Sequence, residues 1–273
     1  MTVMPFRIAL IVLTLLYAGA AGAQDFKPSK EPIEVTAKKS LEWNRNKKLY
    51  IARGLAVAKQ GTSELHGDTL TAKYVDGKTG KGSTITRIDA AGNVTVVSDG
   101  STATGDQGYY DVASGYAELT GSNLKLTSNG GDTVTARDKL TYEAGANQAN
   151  AYGNARATRG SDVITADRLI GRFEKASDGT SKMKEMEAIG NVVITTPTDV
   201  LHGDRGIYYA ASNTATVTGH VRIDRGPNVI TGARGEIDMN TNISKIFGGP
   251  ATTGTGATSD DGRVRGVFYP DSQ

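Results

Sequence analysis

The sequence predicts an all-β protein built from a repeated module. The thirty residues from Gly92 to Gly121 return at Gly190 to Gly219 with 12 identical positions and no gap. Turn-forming residues recur every 8 to 12 residues, and outside the N-terminal segment no window carries an apolar stripe of helical period. Repetition at this length is typical of stacked units that bury a shared face.

The modules start at anchor glycines spaced 29 to 38 residues apart. Their spacing series restarts at Gly153, which predicts two tandem halves, about 54–153 and 153–248. A small residue stands thirteen positions after five of the first six anchors, and the exception predicts a bulge or longer turn near residues 129–131. The seven anchors are Gly54, Gly92, Gly121, Gly153, Gly190, Gly219 and Gly248.

The ends of the chain carry different patterns. Residues 1–23 have a positive start, an apolar run and a small-residue cleavage site, which predict a signal peptide. Residues 24–31 are polar and expected to be flexible, and a first strand is predicted at 32–37 with a hairpin turn at 44–47. The tail, 249–273, has low complexity, and a short segment near Phe268 is expected to dock on the body.

Composition excludes several classes of function. The chain has no cysteine, which excludes a lipidated cysteine, disulfides and thiolate metal sites. Its formal net charge is +2 with no concentrated basic stripe, so we expect no nucleic-acid partner. With only 5 Phe and 1 Trp, the interior is expected to consist of small aliphatic side chains.

The motifs predict no catalytic residue, metal site or cofactor. His66 and His202 occupy the same module position, in Leu-His-Gly-Asp, and a catalytic reading would pair each with the aspartate two residues later. Other modules carry threonine there, so we interpret the position as part of a solvent-facing turn. The recurring Gly-Asp pairs lack the rhythm of calcium-binding β-rolls and are interpreted as turn chemistry as well.

Alternation after the anchors selects ten aliphatic residues that would share one face. A wall of small aliphatics could line a groove that accepts an apolar guest, or two such walls could meet and fill each other. The candidate groove-lining residues are Ile33, Val35, Val94, Val96, Leu124, Leu126, Val192, Ile194, Val221 and Ile223.

The order of several short stretches resembles OstA-like proteins, the LptA family of lipopolysaccharide-transport proteins. The stretches are Pro-Ile-Glu-Val-Thr-Ala at 32–37, Ala-Arg-Gly at 52–54, Leu-His-Gly-Asp at 65–68, the Gly-Asn-Val runs and the Thr-Gly module ends. The likeness covers about 32–248. One departure is Lys38-Lys39, which stands where the family often has an acidic residue.

The resemblance implies an open β-jellyroll, V-shaped in section, made of stacked short antiparallel strands. It implies a non-enzymatic protein in the periplasm of a Gram-negative bacterium that carries lipopolysaccharide from the inner to the outer membrane. The implied partners are an inner-membrane-anchored LptC-like protein and an outer-membrane LptD-like protein, joined end to end by β-augmentation, with a possible head-to-tail homo-oligomer.

Two other classes of protein remain compatible with the repeat. A secreted β-helix enzyme acting on polysaccharides would also stack short strands, but it would cluster acids on one face, whereas Asp106, Asp167 and Asp204 are spread one to a module. A structural or adhesive repeat protein would carry the same periodicity and bind no lipid.

Overall fold

The computed structural model describes residues 32–77, 83–98, 100–175, 181–241, 243–249 and 262–269. They form one antiparallel sheet of 18 strands with a single short 3-10 turn at Ala144–Ala146. The strands are β1 Glu34–Thr36, β2 Ser40–Asn44, β3 Leu49–Gln60, β4 Ser63–Asp76, β5 Ser83–Ser98, β6 Ser101–Asp111, β7 Tyr116–Thr120, β8 Lys125–Thr127, β9 Thr133–Thr135, β10 Lys139–Glu143, β11 Gln148–Arg159, β12 Asp162–Lys175, β13 Ser181–Thr195, β14 Val200–Tyr209, β15 Thr214–Arg225, β16 Asn228–Asp238, β17 Ile243–Phe247 and β18 Arg265–Val267.

The strands stack as rungs, each rung being one pass of the chain across the sheet. Ten strands make a full rung alone, and the other eight form four split rungs, β1 with β2, β7 with β8, β9 with β10, and β17 with β18. Both members of a split rung pair with the same neighbouring strand, as β1 and β2 do with β3. Neighbouring strands lie about 4.8 Å apart, so the described rungs form a stack about 60 Å long.

Each rung bends near its middle, which divides the sheet into two facing walls. Wall A contains the short strands β1, β8, β9 and β18, together with the halves of the long strands that lie on the same side of the bend. Wall B contains β2, β7, β10 and β17 with the other halves. In the second half of the chain, buried residues of both walls pack into one hydrophobic cluster, such as Val192 and Ile194 of wall A with Ala188 and Val217 of wall B. This arrangement is the open β-jellyroll predicted from the sequence.

The bend of each long odd-numbered rung is made by an anchor glycine and the residue after it, which we call the corner. At Gly190 and Asn191 both residues are left-handed, with φ of +75° and +48°. The register with β14 shifts at this point, so the two corner residues lie opposite a single residue of β14, Asp204. This arrangement is a β-bulge. The same pair of left-handed residues recurs at 54–55, 92–93, 153–154 and 219–220.

An aspartate from the preceding even-numbered strand covers most corners. Asn191 donates its side-chain amide to Asp167 at 2.9 Å, and Asn93 donates to Asp68 at the same distance. His220 Nδ1 lies 2.8 Å from Asp204. The recurring Gly-Asp pairs are therefore corner residues inside strands, and their interpretation as turn chemistry was wrong.

The first corner departs from this rule, and the residue responsible is Lys39, one of the two lysines at the position where OstA-like proteins often have an acidic residue. Leu55 takes the place of the asparagine, and its neighbour Gly54 faces Lys39 in place of an aspartate. A Cβ added to Gly54 would lie 2.6 Å from Lys39 Cγ. Lys39 therefore covers the backbone of the first corner as an aspartate covers the others.

Five of the seven anchor glycines lie inside long strands, and Gly121 and Gly248 directly follow the short strands β7 and β17. At those five positions the alternating runs before and after the glycine belong to one rung. The hairpin turn falls at 45–48 and the longer turn at 128–132, close to their predicted places. The predicted signal peptide, residues 24–31 and most of the tail lie outside the described residues.

Part of the tail belongs to the sheet. Residues 265–267 form β18, which pairs with Val229, Ile230 and Thr231 of β16 and completes wall A at the C-terminal end. Among the described residues, no helix has the length and apolar content needed to cross a membrane.

Candidate functional site

The ten sequence-selected residues all lie on wall A, and eight of them face the interior between the walls. Val94, Leu124, Val192 and Val221 form the row next to the corners, which we call the floor row, and all four are buried. Val96, Leu126, Ile194 and Ile223 lie two residues further from the corners, in the middle row. The interior of wall A is therefore continuous and aliphatic across these rungs.

Ile33 and Val35 lie at the open N-terminal end of wall A. Val35 is opposite Ala58 in β3, whereas no other described strand covers it from the opposite side. The exposed fractions are 42% for Ile33 and 39% for Val35. These two residues extend the apolar face to the edge of the sheet.

Sequence reasoning missed the residues of wall B. The sequence does contain a pattern that identifies them, because they stand two and four positions before an anchor, as Ala188 and Met186 do before Gly190. The floor row of wall B is Leu41, Ala52, Leu70, Ala90, Gly108, Leu119, Leu140, Ala151, Leu169, Ala188, Gly206, Val217, Gly235 and Ile246.

Tyrosines and one tryptophan give wall B an aromatic component that wall A lacks. At the N-terminal end, Trp43 donates to the hydroxyl of Tyr74 at 2.8 Å, and Tyr50 stacks on Tyr74 with ring centroids 4.7 Å apart. Further along, Tyr110 and Tyr208 occupy the middle row. Each of these rings combines a large apolar surface with a polar tip.

Glycines on the floor row allow the walls to approach each other at the corners. A Cβ added to Gly203 of wall A would lie 2.4 Å from Val217 of wall B, and one added to Gly232 would lie 2.5 Å from Ile246. Contacts this short leave no room for a larger side chain. The close approach of the two walls therefore explains the small residues at these two positions, each thirteen residues after its anchor.

The interior is open in the first half of the stack and closed in the second. Middle-row residues of the first half, such as Leu65 and Val96, are half-buried. Their counterparts in the second half, such as Ile164, Ile194 and Leu201, are 1–4% exposed and belong to the large cluster. The walls therefore fill each other in the second half, whereas the middle row of the first half is only partly covered.

A polar row runs along wall A beyond the middle row, at the side where the walls separate; we call it the rim row. The first rungs hold uncharged residues in this row, with Ser63 and Ser98 hydrogen-bonded at 3.1 Å. Charged residues join the row further along the stack, where Arg225 pairs bidentately with Asp199 at 2.6 and 2.9 Å. Each member of this ion pair therefore satisfies the charge of the other.

A second charged group on the rim row is less well satisfied. Arg159 Nε lies 3.8 Å from Asp132 Oδ2, which is beyond hydrogen-bonding distance, and Arg159 pairs in register with Asp162 across a tight turn. Asp162 is 4% exposed. Burial raises the pKa of both aspartates, although the Arg159 guanidinium opposes the rise.

The C-terminal end of the interior opens into a cleft of about 310 Å³. Ile223, Ile230 and Ile246 form its apolar base, and Phe268 from the tail lies at its side. The Asp199–Arg225 pair borders it. The apolar face of the interior therefore reaches the last rung of the stack.

The two histidines lie within strands, which corrects their expected place at turns. His66 of β4 contacts Glu64 at 3.0 Å, and His202 of β14 lies 3.8 Å from Asp224. Neither contact involves the aspartate of the Leu-His-Gly-Asp motif. Across the described ranges, no three His, Asp or Glu side chains are grouped so that they could hold a metal ion.

The sequence matches a family model described as LptA/(LptD N-terminal domain) LPS transport protein. The match occurs twice, over residues 34–146 and 133–243, and together the two matches cover most of the chain. The chain belongs to this family. As a member of the LptA/LptD N-terminal family, it is a lipopolysaccharide-transport protein, and each match spans seven complete rungs of the stack.

Two further comparisons add little to the family assignment. The crystal structure of LptH, the LptA-homologous periplasmic component of the lipopolysaccharide transport device of Pseudomonas aeruginosa, matches 89% of this chain and 99% of its own, with 14% identity and a TM-score of 0.21. A TM-score this low gives no basis for transferring geometry. A comparison with curated proteins found no match.

Proposed function

We propose that this member of the LptA/LptD N-terminal family carries lipopolysaccharide across the periplasm with the acyl chains between walls A and B. The observation that supports the proposal most strongly is the aliphatic face that continues from the first rung to the last on both walls. An acyl chain of about twelve carbons costs on the order of 10 kcal/mol to expose to water, at about 0.8 kcal/mol per methylene. A continuous apolar interior removes that cost along the whole path.

The open first half is the part of the interior that accepts acyl chains without rearrangement. Its half-buried middle row, with Val96 and Leu126 on wall A and Tyr110 on wall B, offers apolar surface beside the rim. In the second half the same row is packed, so Ile194 contacts lipid only when the walls separate, whereas Ile223 borders the C-terminal cleft. We keep all ten wall A residues as groove-lining residues, with this difference in access.

The role we propose is a binding and bridging role without catalysis. The acidic residues that repeat through the chain, such as Asp167 and Asp204, are held at corners by Asn191 and His220. The end rungs pair on one side only among the described strands, β1 and β2 with β3, and β17 and β18 with β16. Such edges suit β-augmentation by LptC-like and LptD-like partners or by a second copy of the chain.

Site-specific photo-crosslinking tests the groove. A photoreactive residue at Val96 is expected to crosslink to lipopolysaccharide in cells, whereas one at the adjacent Thr95, which points to the outer face of wall A, is expected not to. A matched pair in the closed half, Ile194 and Val193, should show the same preference with a lower yield. Equal crosslinking at Val96 and Thr95, or none at either, would contradict the proposal.

A further inference from the structure

Three charged side chains on the rim row of wall A keep buried polar atoms that make no hydrogen bond. The atoms are Asp132 Oδ2, Arg159 Nη1 and Asp162 Oδ1, and none has a hydrogen-bond partner. Burying a polar group without a partner costs about 1–3 kcal/mol, and more when the group is charged. A group of three such atoms at one place is therefore unusual.

Strand alternation places these side chains on the inner face. Asp162 alternates with Ile164 and Ala166 on β12, and both of these belong to the hydrophobic cluster between the walls. Arg159 alternates in the same way with Ala157 on β11. The unpaired atoms therefore lie where the apolar interior ends and the rim begins.

The chemistry of the three groups defines what could satisfy them. Asp162 Oδ1 and Asp132 Oδ2 accept hydrogen bonds, and Arg159 Nη1 donates them. A ligand group must therefore both donate and accept, as an amide or a hydroxyl does. The site has two carboxylates for one guanidinium, so an anionic group such as a phosphate meets net repulsion there.

The neighbouring charged pair on the same row offers no such site. Arg225 donates from Nε and Nη2 to the two carboxylate oxygens of Asp199. The first half of the rim row has serines at the matching positions, such as Ser98 and Ser101. Only the group at Asp132, Arg159 and Asp162 thus combines charge, burial and unpaired atoms among the described residues of the rim row.

We infer that Asp132, Arg159 and Asp162 form a polar binding site for an uncharged amide or hydroxyl group attached directly to an acyl chain. The inference rests on the proposed function, because the acyl chain itself would lie on the middle and floor rows next to Ile164. The ligand completes the hydrogen bonds that the closed interior leaves unmade. Phosphate groups of the same lipid stay outside the rim at this point of the path.

Competition binding with simple amphiphiles tests the inference. The purified protein is loaded with a fluorescent apolar dye, which is displaced below the micellar concentration by N-methyl-3-hydroxydodecanamide, methyl dodecanoate or dodecyl phosphate. Hydrogen bonds to charged groups contribute enough for roughly a tenfold preference for the hydroxyamide over the ester. Dodecyl phosphate is expected to bind more weakly than the hydroxyamide, also by roughly tenfold.

Asp162→Ala should reduce the preference for the hydroxyamide to less than about twofold and leave the affinity for methyl dodecanoate unchanged. Ser101→Ala, at the same row in the first half, is the matched control and should keep the full preference. The ligand series on the wild-type protein tests the inference without any variant, so a folding defect in Asp162→Ala does not remove the test.

The outcomes separate this inference from the proposed function. Equal binding of the hydroxyamide and the ester by the wild-type protein, tighter binding of dodecyl phosphate, or an undiminished preference in Asp162→Ala would each overturn the polar site while leaving the groove intact. Failure of all three amphiphiles to displace the dye would overturn the groove itself, and the polar site with it.

Discussion

A corner joins residues that are far apart in the sequence into one local structure. Gly190 adopts a left-handed conformation, and a Cβ at this position would lie 2.3 Å from Asp167 Oδ2. The glycine is therefore required twice, by its backbone conformation and by the aspartate above it. Sequence reasoning found the glycine from its spacing, but it could not find the aspartate's role, because the partner lies on the preceding strand.

Gly190→Ala is expected to lower the free energy of unfolding by more than the cost of the left-handed conformation alone, which is roughly 1–2 kcal/mol. Gly131→Ala is the matched control, since Gly131 has φ of +86° but nothing within 4 Å of the added carbon. Urea unfolding followed by circular dichroism measures both. Equal losses in the two variants would show that the contact with Asp167 contributes nothing.

Asp162 gives a second prediction at the scale of one residue. Burial raises its pKa in the folded protein, so its contribution to stability is most favourable below the unfolded value, about 3.9, and is lost as the pH rises through the folded pKa. Asp162→Asn should therefore increase stability at pH 7, by roughly 1 kcal/mol, and have less effect at pH 4. Thermal unfolding at both pH values measures the difference, and a variant that is destabilised more at pH 7 than at pH 4 would contradict it.

The strands of wall B carry a charged network on their outer face. Glu187 of β13 is nearly fully buried and receives hydrogen bonds from Arg205 at 2.7 Å and Arg172 at 3.0 Å. Burial alone would raise the pKa of Glu187, but the two arginines together hold it below its usual range. The network ties β12, β13 and β14 together across the outside of the sheet.

Glu187→Gln should destabilise the protein at pH 7 by on the order of 2 kcal/mol, because two arginines lose their buried partner. Glu236→Gln is the control, since Glu236 pairs with Arg234 on the exposed surface and should cost less than about 0.5 kcal/mol. Because the folded pKa of Glu187 is lowered, its stabilisation is present above the unfolded value, about 4.3, and is lost as the pH falls. A Glu187→Gln loss that is unchanged between pH 7 and pH 3 would be inconsistent with this origin.

The strands themselves were predictable because a period of two is visible in single runs, such as the one after Gly190. The lengths of the strands were harder to predict. A glycine in a strand pattern is as easily interpreted as the end of a strand as a bend within it, and only the pairing of Ala188 and Val192 with the same strand, β14, decides between them. Wall B was missed for the same reason, since its residues precede the anchors.

The whole molecule ends in two unlike edges. The N-terminal edge presents β1 and β2 with exposed apolar side chains, including Val35 and Leu41. The C-terminal edge presents β17 and the short β18. An edge strand of this kind is a template for pairing with another chain, and a charge placed on it blocks that pairing.

We expect the wild-type protein to associate head to tail as its concentration rises, and Val35→Lys to abolish this association. Val75→Lys places the same charge on another exposed valine, which lies in β4 outside the end rungs, and should not affect the association. Analytical ultracentrifugation over a range of concentrations measures the association. Loss of association in both variants would point to a general effect of charge and not to the edge.

The corners lie on one line along the stack, and in each of the ten unsplit rungs the strand passes through this line without a break. The walls therefore cannot slide past each other, and separation of the walls is restricted to rotation about this line, as the covers of a book turn about its spine. From Asn191 to Thr196 the strand extends about 17 Å. A rotation of about 10° thus moves the rim by about 3 Å, one hydrogen-bond length, while Val192 next to the spine hardly moves.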